Sequence, residues 1–279
     1  YGIVLRAVRD LFDDDIDRMV IDDRKVFEEV RSFVADFMPK AKDRVHLYRG
    51  SEPIFDIYGV ETELSRSLGR RVWLKSGGYL VIDQTEALMA IDVNSGKFVG
   101  KTASLEETTL RINLEAVREV AYQLRLRNIG GIIIIDCIDM DRESNREKVY
   151  RVMEEALKKD RARTNVLKIS DLGLVQLTRK RVQEGLDRYL MEGCPICDST
   201  GVVRSRSTIC YDILREVQRE VSRVGNAREI FVNTTPAIAN MLYGEQYLDL
   251  ETIEKALGRR IVVRALGHFH AQQFEVYSR

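Results

Sequence analysis

Two segments of the chain carry apolar residues up to an aspartate, which predicts two strands that each end in a carboxylate. One segment spans residues 87–94 and contains Asp92, and the other runs through four consecutive isoleucines to Asp136. Four isoleucines in a row predict a strand that is covered on both faces. Helical spacing of apolar residues over 114–124 predicts a helix between them, so the order strand, helix, strand favours a parallel crossover. The two aspartates would then meet at the edge where open α/β sheets bind ligands.

The same patterning predicts mixed α/β structure along the rest of the chain. Apolar residues at helical spacing predict a helix over 22–38. The turn at 76–78, Ser-Gly-Gly, predicts a hairpin between strands at 71–75 and 79–83. Beyond residue 204, one long helix, short helices and three strands predict a small α/β unit of its own.

Two carboxylates held side by side repel each other unless a cation lies between them. Mg²⁺ prefers one or two carboxylates together with water and phosphate oxygens, so Asp92 and Asp136 indicate metal-assisted phosphoryl chemistry. Asn94 shares a strand face with Asp92 and can orient it or contact a phosphate. Asp139 is the nearest competing ligand, but on a continuing strand it would face away from Asp136. For either aspartate alone, a turn former or a helix N-cap is the competing interpretation.

Composition narrows the class of protein. The chain has 279 residues, of which 44% are hydrophobic and 32% charged, which is typical of a soluble globular protein. It contains no apolar run long enough to span a bilayer and no signal-peptide pattern, so we expect a cytoplasmic protein without a membrane partner. The sequence starts at Tyr1 rather than Met, and we expect a native N-terminal region to precede it.

Charge is informative only locally, because Lys plus Arg and Asp plus Glu are 44 each. Basic clusters can neutralise phosphates. Besides Arg118, the candidate phosphate-binding residues are Arg125, Arg127, Lys159, Arg161, Arg163, Arg179 and Lys180. For each of them taken singly, a solvated helix face or a helix C-terminus is at least as good an interpretation.

Cys194 and Cys197, in the segment CPIC, can direct two thiolates at one metal ion. A structural zinc site needs four protein ligands, and this segment supplies two. A redox dithiol would normally open a helix after a strand, which this segment does not do. The site could be completed within the chain by His268 and His270, or by the same segment of a second chain across a two-fold axis. We favour the shared zinc site, with free thiols as the alternative to zinc.

Six motifs, taken together, resemble the ribonuclease E/G family in their order and spacing. They are AIDVNSG at 90–96, RINLEA at 111–116, QLRLRNIGG at 123–131, IDCIDM at 135–140, KDRAR at 159–163 and CPIC at 194–197. The resemblance covers essentially the whole chain. Residues 94–100 and 273–276 are more similar to the G branch of the family than to the E branch.

The resemblance implies a Mg²⁺-dependent endoribonuclease that cuts single-stranded RNA to 5′-phosphate and 3′-hydroxyl ends, in ribosomal RNA processing and mRNA decay. It implies that Asp92 and Asp136 hold the Mg²⁺ and that Asn94 orients them. The basic residues above become candidate RNA contacts. Cys194 and Cys197 would form half of a zinc link, with one Zn²⁺ per two chains. The protein would be a homodimer, and further pairing to a tetramer stays open.

The resemblance also implies a domain plan. Residues 1–67 would be part of an RNase H-like subdomain, 68–190 a DNase I-like catalytic subdomain, 191–203 the zinc link and 204–279 a small dimerisation domain. The family's RNA-clamping S1 domain and its 5′-monophosphate pocket would precede Tyr1. The alternatives are a non-catalytic RNA-binding or assembly subunit of the same fold, a chain that is inactive without its S1 domain, and a DNA nuclease or phosphatase.

Overall fold

The computed structural model describes residues 2–96, 105–170, 172–224 and 229–279. Within these ranges no helix is long and apolar enough to cross a membrane. The chain divides into two units, Tyr1–Leu190 and Met191–Arg279. The strands are β1 Met19–Ile21, β2 Val45–Leu47, β3 Arg71–Trp73, β4 Tyr79–Gln84, β5 Leu88–Asn94, β6 Gly131–Asp136, β7 Thr164–Val166, β8 Leu174–Arg179, β9 Glu229–Thr234, β10 Arg260–Ala265 and β11 Phe274–Ser278. The helices are α1 Ile3–Leu11, α2 Arg24–Phe37, α3 Ile54–Ile57, α4 Val60–Leu68, α5 Leu105–Leu126, α6 Glu143–Leu157, α7 Leu186–Leu190, α8 Arg206–Arg223, α9 Pro236–Tyr243 and α10 Tyr247–Leu257, and a short 3-10 helix spans Pro39–Arg44.

The first unit contains a six-stranded sheet with the strand order β3-β4-β5-β6-β8-β7. Strands β5 and β6 are parallel, which confirms the predicted crossover, and the other neighbouring pairs are antiparallel. The predicted hairpin between β3 and β4 is also present. Its turn contains Gly77 at a φ of +91°, a conformation that glycine adopts without a steric penalty. Helices α5 and α6 pack on one face of the sheet, where they share one hydrophobic core with it.

The isoleucine strand is covered on one face only. Ile133 and Ile135 are fully buried in the core, whereas Ile132 is 52% exposed and Ile134 is half-buried. The prediction that both faces are covered is therefore wrong, because the two helices that follow β5 and β6 lie on the same side of the sheet. We call the uncovered side the open face; it carries the residues that alternate with Ile133 and Ile135 along β6.

The first 67 residues have a small hydrophobic core of their own, separate from that of the sheet. The predicted helix is present as α2, and the Asp23 side chain caps it by accepting a hydrogen bond from the Val26 N–H at 2.8 Å. Val30 and Val34 are fully buried on its inner face. Phe37, which the spacing also places on the apolar face, is 63% exposed because it is the last residue of the helix.

The second unit contains the elements predicted beyond residue 204. Its three-stranded sheet has the order β10-β9-β11, with β9 parallel to β10 and antiparallel to β11. The hydroxyls of Ser205 and Thr235 cap α8 and α9, as serine and threonine before a helix commonly do. Ile213, Ile230 and Leu242 lie fully buried where these helices meet the sheet.

A buried ion pair ties β8 to the rest of the first unit. Arg179 donates from Nε to Asp160 at 2.6 Å and from Nη2 at 3.1 Å, and the two side chains are 5% and 3% exposed. Arg179 Nη1 also donates to the Ile129 carbonyl at 2.9 Å. Burial alone would raise the pKa of Asp160, but the hydrogen bonds and the charge of Arg179 outweigh burial and lower it. Arg179 is therefore part of the fold and is not accessible to a phosphate.

We predict that Asp160→Asn lowers the free energy of unfolding by about 3–5 kcal/mol at pH 7, because it leaves the Arg179 charge buried without its partner. The matched variant is Asp83→Asn, which breaks the same two-bond contact with Arg70 on the surface and should cost no more than about 1 kcal/mol. Urea unfolding followed by the fluorescence of the single tryptophan, Trp73, measures both losses.

The difference between these two variants should also depend on pH. Because the folded state lowers the pKa of Asp160, its stabilising contribution is complete well above the ordinary carboxyl pKa of about 3.9 and is lost as the pH falls below that value. Equal losses for the two variants at pH 7 would contradict a structural role for the buried pair.

Candidate active site

Asp92 and Asp136 are direct neighbours on the open face. In the parallel register of β5 and β6 the two residues pair with each other, which places their Cα atoms about 4.8 Å apart. Ile91 and Ile135, which precede them, point into the core, so the two carboxylates point away from it. Both aspartates are exposed. The structure thus brings together the two carboxylates that the strand pattern places at one edge.

The electrostatics of the pair disfavour two negative charges. Partial burial, and after it the charges of Asp92 and Asp139, raise the pKa of Asp136. Strand β6 ends at Asp136, so Asp139 lies on a loop rather than on a continuing strand, and its charge reaches the pair. A cation bound between the carboxylates would relieve this repulsion.

Asn94 orients one of the two carboxylates. Its Nδ2 donates to Asp92 Oδ2 at 2.7 Å. The end of β5 is held by close backbone packing against the hairpin turn, since a Cβ atom on Gly78 would lie 2.7 Å from the Asn94 carbonyl oxygen. A Cβ atom on Gly96, which has a φ of +62°, would lie even closer to the Gly77 carbonyl oxygen. Glycine is required at these positions because a side chain would push the turn away from Asn94.

Two polar residues of α5 hold the loops beside the site, and sequence reasoning gave neither of them a role. Fully buried Asn113 exchanges two hydrogen bonds with the backbone of Ile138, at 2.7 and 3.0 Å, and so fixes the loop after Asp136. Glu115 accepts the backbone N–H groups of Lys75 and Ser76, at 2.6 and 3.1 Å, and so fixes the hairpin turn. Both residues lie in the RINLEA motif, and Asn113 is an amide on an otherwise apolar helix face. A polar residue in such a position is the sequence signal that could have indicated a structural role.

The predicted phosphate-binding residues on the helices lie away from the carboxylates. Arg125 and Lys159 line, with Arg118, a groove of about 370 Å³ between α5 and α6. These helices cover the side of the sheet opposite the open face. Arg127 donates to Gln123 Oε1 at 2.7 Å, and burial lowers its pKa.

The remaining predicted cations are also distant from the pair. Leu174 of β8 pairs with Asp136, and Lys180 comes six residues later, directly after the end of the strand. The rise of a strand therefore places Lys180 about 20 Å along β8 from the position that faces Asp136. The Lys180 N–H donates to the carbonyl of Arg163, at the same end of the sheet. Arg161 forms an ion pair with Asp13. The predicted phosphate-binding cations are therefore not gathered around the carboxylates.

Cys194 and Cys197 lie in a turn of the second unit, before α8. The Gly201 N–H donates to Cys197 Sγ at 3.4 Å. Hydrogen bonds from the backbone N–H groups of Cys197 and Ile196, followed by one from the Cys197 side chain, lower the pKa of Cys194. A thiolate is the form that binds metal ions, so this environment suits a metal ligand.

The described part of the chain offers these cysteines no further ligands. It contains no group of three or more His, Cys, Asp and Glu side chains placed to hold a metal ion, which argues against completion by His268 and His270. Instead Gln272, two residues after His270, donates to the Ile196 carbonyl at 2.9 Å. The turn does not open a helix, since α8 begins at Arg206, which also argues against a redox dithiol.

Comparison with known proteins supplies the context for these sites. Residues 1–182 match the sequence profile of the Ribonuclease E/G family, and residues 193–279 match a profile described as RNase E/G, Thioredoxin-like domain. The chain is 42% identical over 275 residues to ribonuclease G of Escherichia coli (strain K12), which covers 99% of this chain and 56% of that protein. It is 42% identical over 272 residues to ribonuclease G of Haemophilus influenzae, covering 97% of this chain and 55% of that protein.

Similarity to ribonuclease E is lower. The chain is 35% identical over 275 residues to ribonuclease E of Haemophilus influenzae, which covers 99% of this chain and 29% of that protein. This confirms the closer similarity to the G branch. Of residues 94–100, whose motif indicated that branch, 97–100 lie outside the described residues. The chain spans a little over half the length of the ribonuclease G relatives that it matches.

We predict that Asp136→Asn raises the free energy of unfolding of the metal-free protein at pH 7, because it removes a partly desolvated charge together with its repulsion with Asp92 and Asp139. The folded state raises the pKa of Asp136, so the ionised carboxylate destabilises the protein above that pKa and the gain should vanish below about pH 4. The control on the same face is Asp83→Asn, whose pKa is lowered by Arg70 and which should lose stability instead. Urea unfolding in EDTA at both pH values checks the prediction, and a loss for both variants would refute it.

Proposed function

The chain belongs to the ribonuclease E/G family, and on this premise we propose that it is an endoribonuclease that hydrolyses phosphodiester bonds of single-stranded RNA. The observation that carries the proposal is the pairing of Asp92 with Asp136, with Asn94 hydrogen-bonded to Asp92. All three residues lie in the segment that matches the family profile. The relatives are named ribonuclease G and ribonuclease E, which supports RNA as the substrate class.

The donor set at the pair fits Mg²⁺. Two exposed carboxylates that lie side by side repel each other and gain most from a cation, and Mg²⁺ takes one or two carboxylates together with waters and phosphate oxygens. Asp92 and Asp136 would hold the ion, and the hydrogen bond from Asn94 would keep the Asp92 carboxylate in one orientation. When bound, Mg²⁺ lowers the pKa of a water nucleophile and stabilises the charge that develops on the scissile phosphate.

The chain itself contributes rigidity and access. Ile91 and Ile135 anchor the two strands in the core, so the carboxylates that alternate with them keep their separation without help from a substrate. No described helix of the first unit covers the open face beside them, so an extended RNA strand can lie across the sheet there. We expect 5′-phosphate and 3′-hydroxyl products, and roles in ribosomal RNA processing and mRNA decay in the cytoplasm.

Asp92→Asn and Asp136→Asn in the native protein should each lower kcat/KM for cleavage of a single-stranded RNA by at least about 100-fold, with RNA binding retained. The loss arises because an amide cannot supply the charge that holds the metal ion. Asp83→Asn, which changes a carboxylate on the same face outside the pair, should keep its activity.

Cleavage that survives in either variant of the pair would overturn this assignment of the site. Comparing single-stranded RNA with single-stranded DNA separates a ribonuclease from a DNA nuclease. Binding of RNA by the wild-type protein without cleavage would assign the fold to a non-catalytic RNA-binding subunit.

We propose that Cys194 and Cys197 form half of a zinc site that links two chains into a homodimer. Support comes from the lowered pKa of Cys194 and from the absence of a third ligand near the pair among the described residues. Two thiolates from each chain would complete the four ligands of a structural Zn²⁺.

Metal analysis and mass measurement test the link. We expect one zinc per two chains, and Cys197→Ser or a chelator should remove the metal and produce monomers. Cys210→Ala changes a buried cysteine of the same unit and should keep both the zinc and the dimer. One zinc per chain in a monomeric protein would be incompatible with a shared site.

We propose that residues 1–67 belong to an RNase H-like subdomain, 68–190 to a DNase I-like catalytic subdomain, 191–203 to the zinc link and 204–279 to a dimerisation domain. Three separate hydrophobic clusters support a division into small subdomains. The basic residues other than Arg179 remain proposed RNA contacts. Their positions suit parts of the substrate distant from the cut: Arg125, Arg127, Lys159, Arg161, Arg163 and Lys180.

A further inference from the structure

An exposed tryptophan lies in line with the site on the open face. Trp73 of β3 is 59% exposed and pairs across the hairpin with Tyr79 of β4, which in turn pairs with Asn94 of β5. Cross-strand partners share a face, so these three side chains form one row on the same face as Asp92. Tyr79 is a diagonal neighbour of Asp92 across β4 and β5, and residues in this relation lie about 7–8 Å apart, measured between their Cα atoms.

The indole of Trp73 is held in place by its neighbours. The Trp73 and Tyr79 ring centroids are 5.2 Å apart and the rings are tilted by 56°. The Arg71 guanidinium carbon lies 4.4 Å from the Tyr79 centroid and 5.8 Å from the Trp73 centroid. Arg71 pairs with Val81, which pairs with Asp92, so this cation lies in the same cross-strand row as the carboxylates.

A structural role for the aromatic pair accounts for only part of this arrangement. Cross-strand aromatic pairs stabilise hairpins, which explains the contact between Trp73 and Tyr79. It does not require a large aromatic side chain to stay mostly in solvent on β3, an edge strand of the sheet, where exposed apolar residues favour unwanted association. An ordered, exposed indole beside a cation is instead the combination found where single-stranded nucleic acids bind.

We propose that Trp73 is a stacking platform for a nucleobase next to the scissile phosphate, with Tyr79 and Arg71 as the residues that position it. This inference rests on the proposed function, because it takes the phosphate to lie over Asp92 and Asp136. From there, the base of a neighbouring nucleotide reaches across β4 to the indole. Bases in a duplex are already stacked and paired, so the platform favours single-stranded substrates.

Fluorescence tests the platform without cleavage, because Trp73 is the only tryptophan in the sequence. In EDTA, a short oligoadenylate should quench the emission of the 279-residue chain saturably, whereas inorganic polyphosphate, which has charge but no bases, should not. Asp136→Asn should keep the quenching, since stacking does not need the metal ion. Binding of the oligoadenylate, measured by anisotropy, without any change in emission would overturn the proposal.

Kinetics supply the second test. Trp73→Ala should lower kcat/KM for single-stranded RNA roughly 5- to 100-fold, the loss expected for one stacked base, and mainly through KM because stacking is equal in the ground and transition states. Trp73→Phe should recover most of the loss. The control is Phe37→Ala, which removes a similarly exposed aromatic ring on α2, away from the sheet, and should leave KM unchanged.

The outcomes separate the two proposals. Normal cleavage by wild type with an unchanged KM in Trp73→Ala would overturn the platform and leave the endoribonuclease assignment intact. Absence of cleavage by wild type would overturn the proposed function, and the quenching would then decide the platform independently. If Trp73→Ala changes the mass of the protein measured by light scattering but leaves RNA binding and cleavage unchanged, this face is a contact between copies of the chain and the proposal fails.

Discussion

The parallel register of β5 and β6 sets the geometry on which the candidate site depends. It pairs Asp92 with Asp136 while the alternation of each strand sends Ile91 and Ile135 into the core. A slip of one residue in either strand would bury a carboxylate and expose an isoleucine, so the core strongly favours the observed pairing. Hydrophobic burial therefore holds two like charges side by side, although partial burial of Asp136 and its repulsion with Asp92 raise the pKa of Asp136.

Helix α5 links this core to the loops of the site. Its apolar residues pack under the sheet, while Asn113 holds the loop after β6 and Glu115 holds the hairpin turn. The hairpin turn itself packs against the end of β5 at Asn94. The helix that connects the two parallel strands thus also fixes the backbone on both sides of the carboxylates. This role explains why the motif around Asn113 contains polar residues.

The open face changes the picture of how RNA would be held. Arg125 and Lys159 lie on the helix-covered side of the sheet, and Lys180 lies at its far end. The groups in line with the carboxylates are instead Arg71, Tyr79 and Trp73. A substrate on this face would meet Arg71 and an aromatic surface near the cut, and the predicted phosphate-binding residues only farther along its path.

The amino-acid sequence by itself determined the crossover, the hairpin at Gly77 and the adjacency of Asp92 and Asp136, because periodicity and turn residues act over a few consecutive positions. Its motifs also determined the family. Only the tertiary structure decided that Ile132 stays exposed and that Arg179 is buried against Asp160. It also decided that Trp73 shares a face with the carboxylates. The first two outcomes depend on which side of the sheet the helices pack and on where β8 joins it, which are set by contacts between residues far apart in the chain, and the third depends on the registers in which β3, β4 and β5 pair.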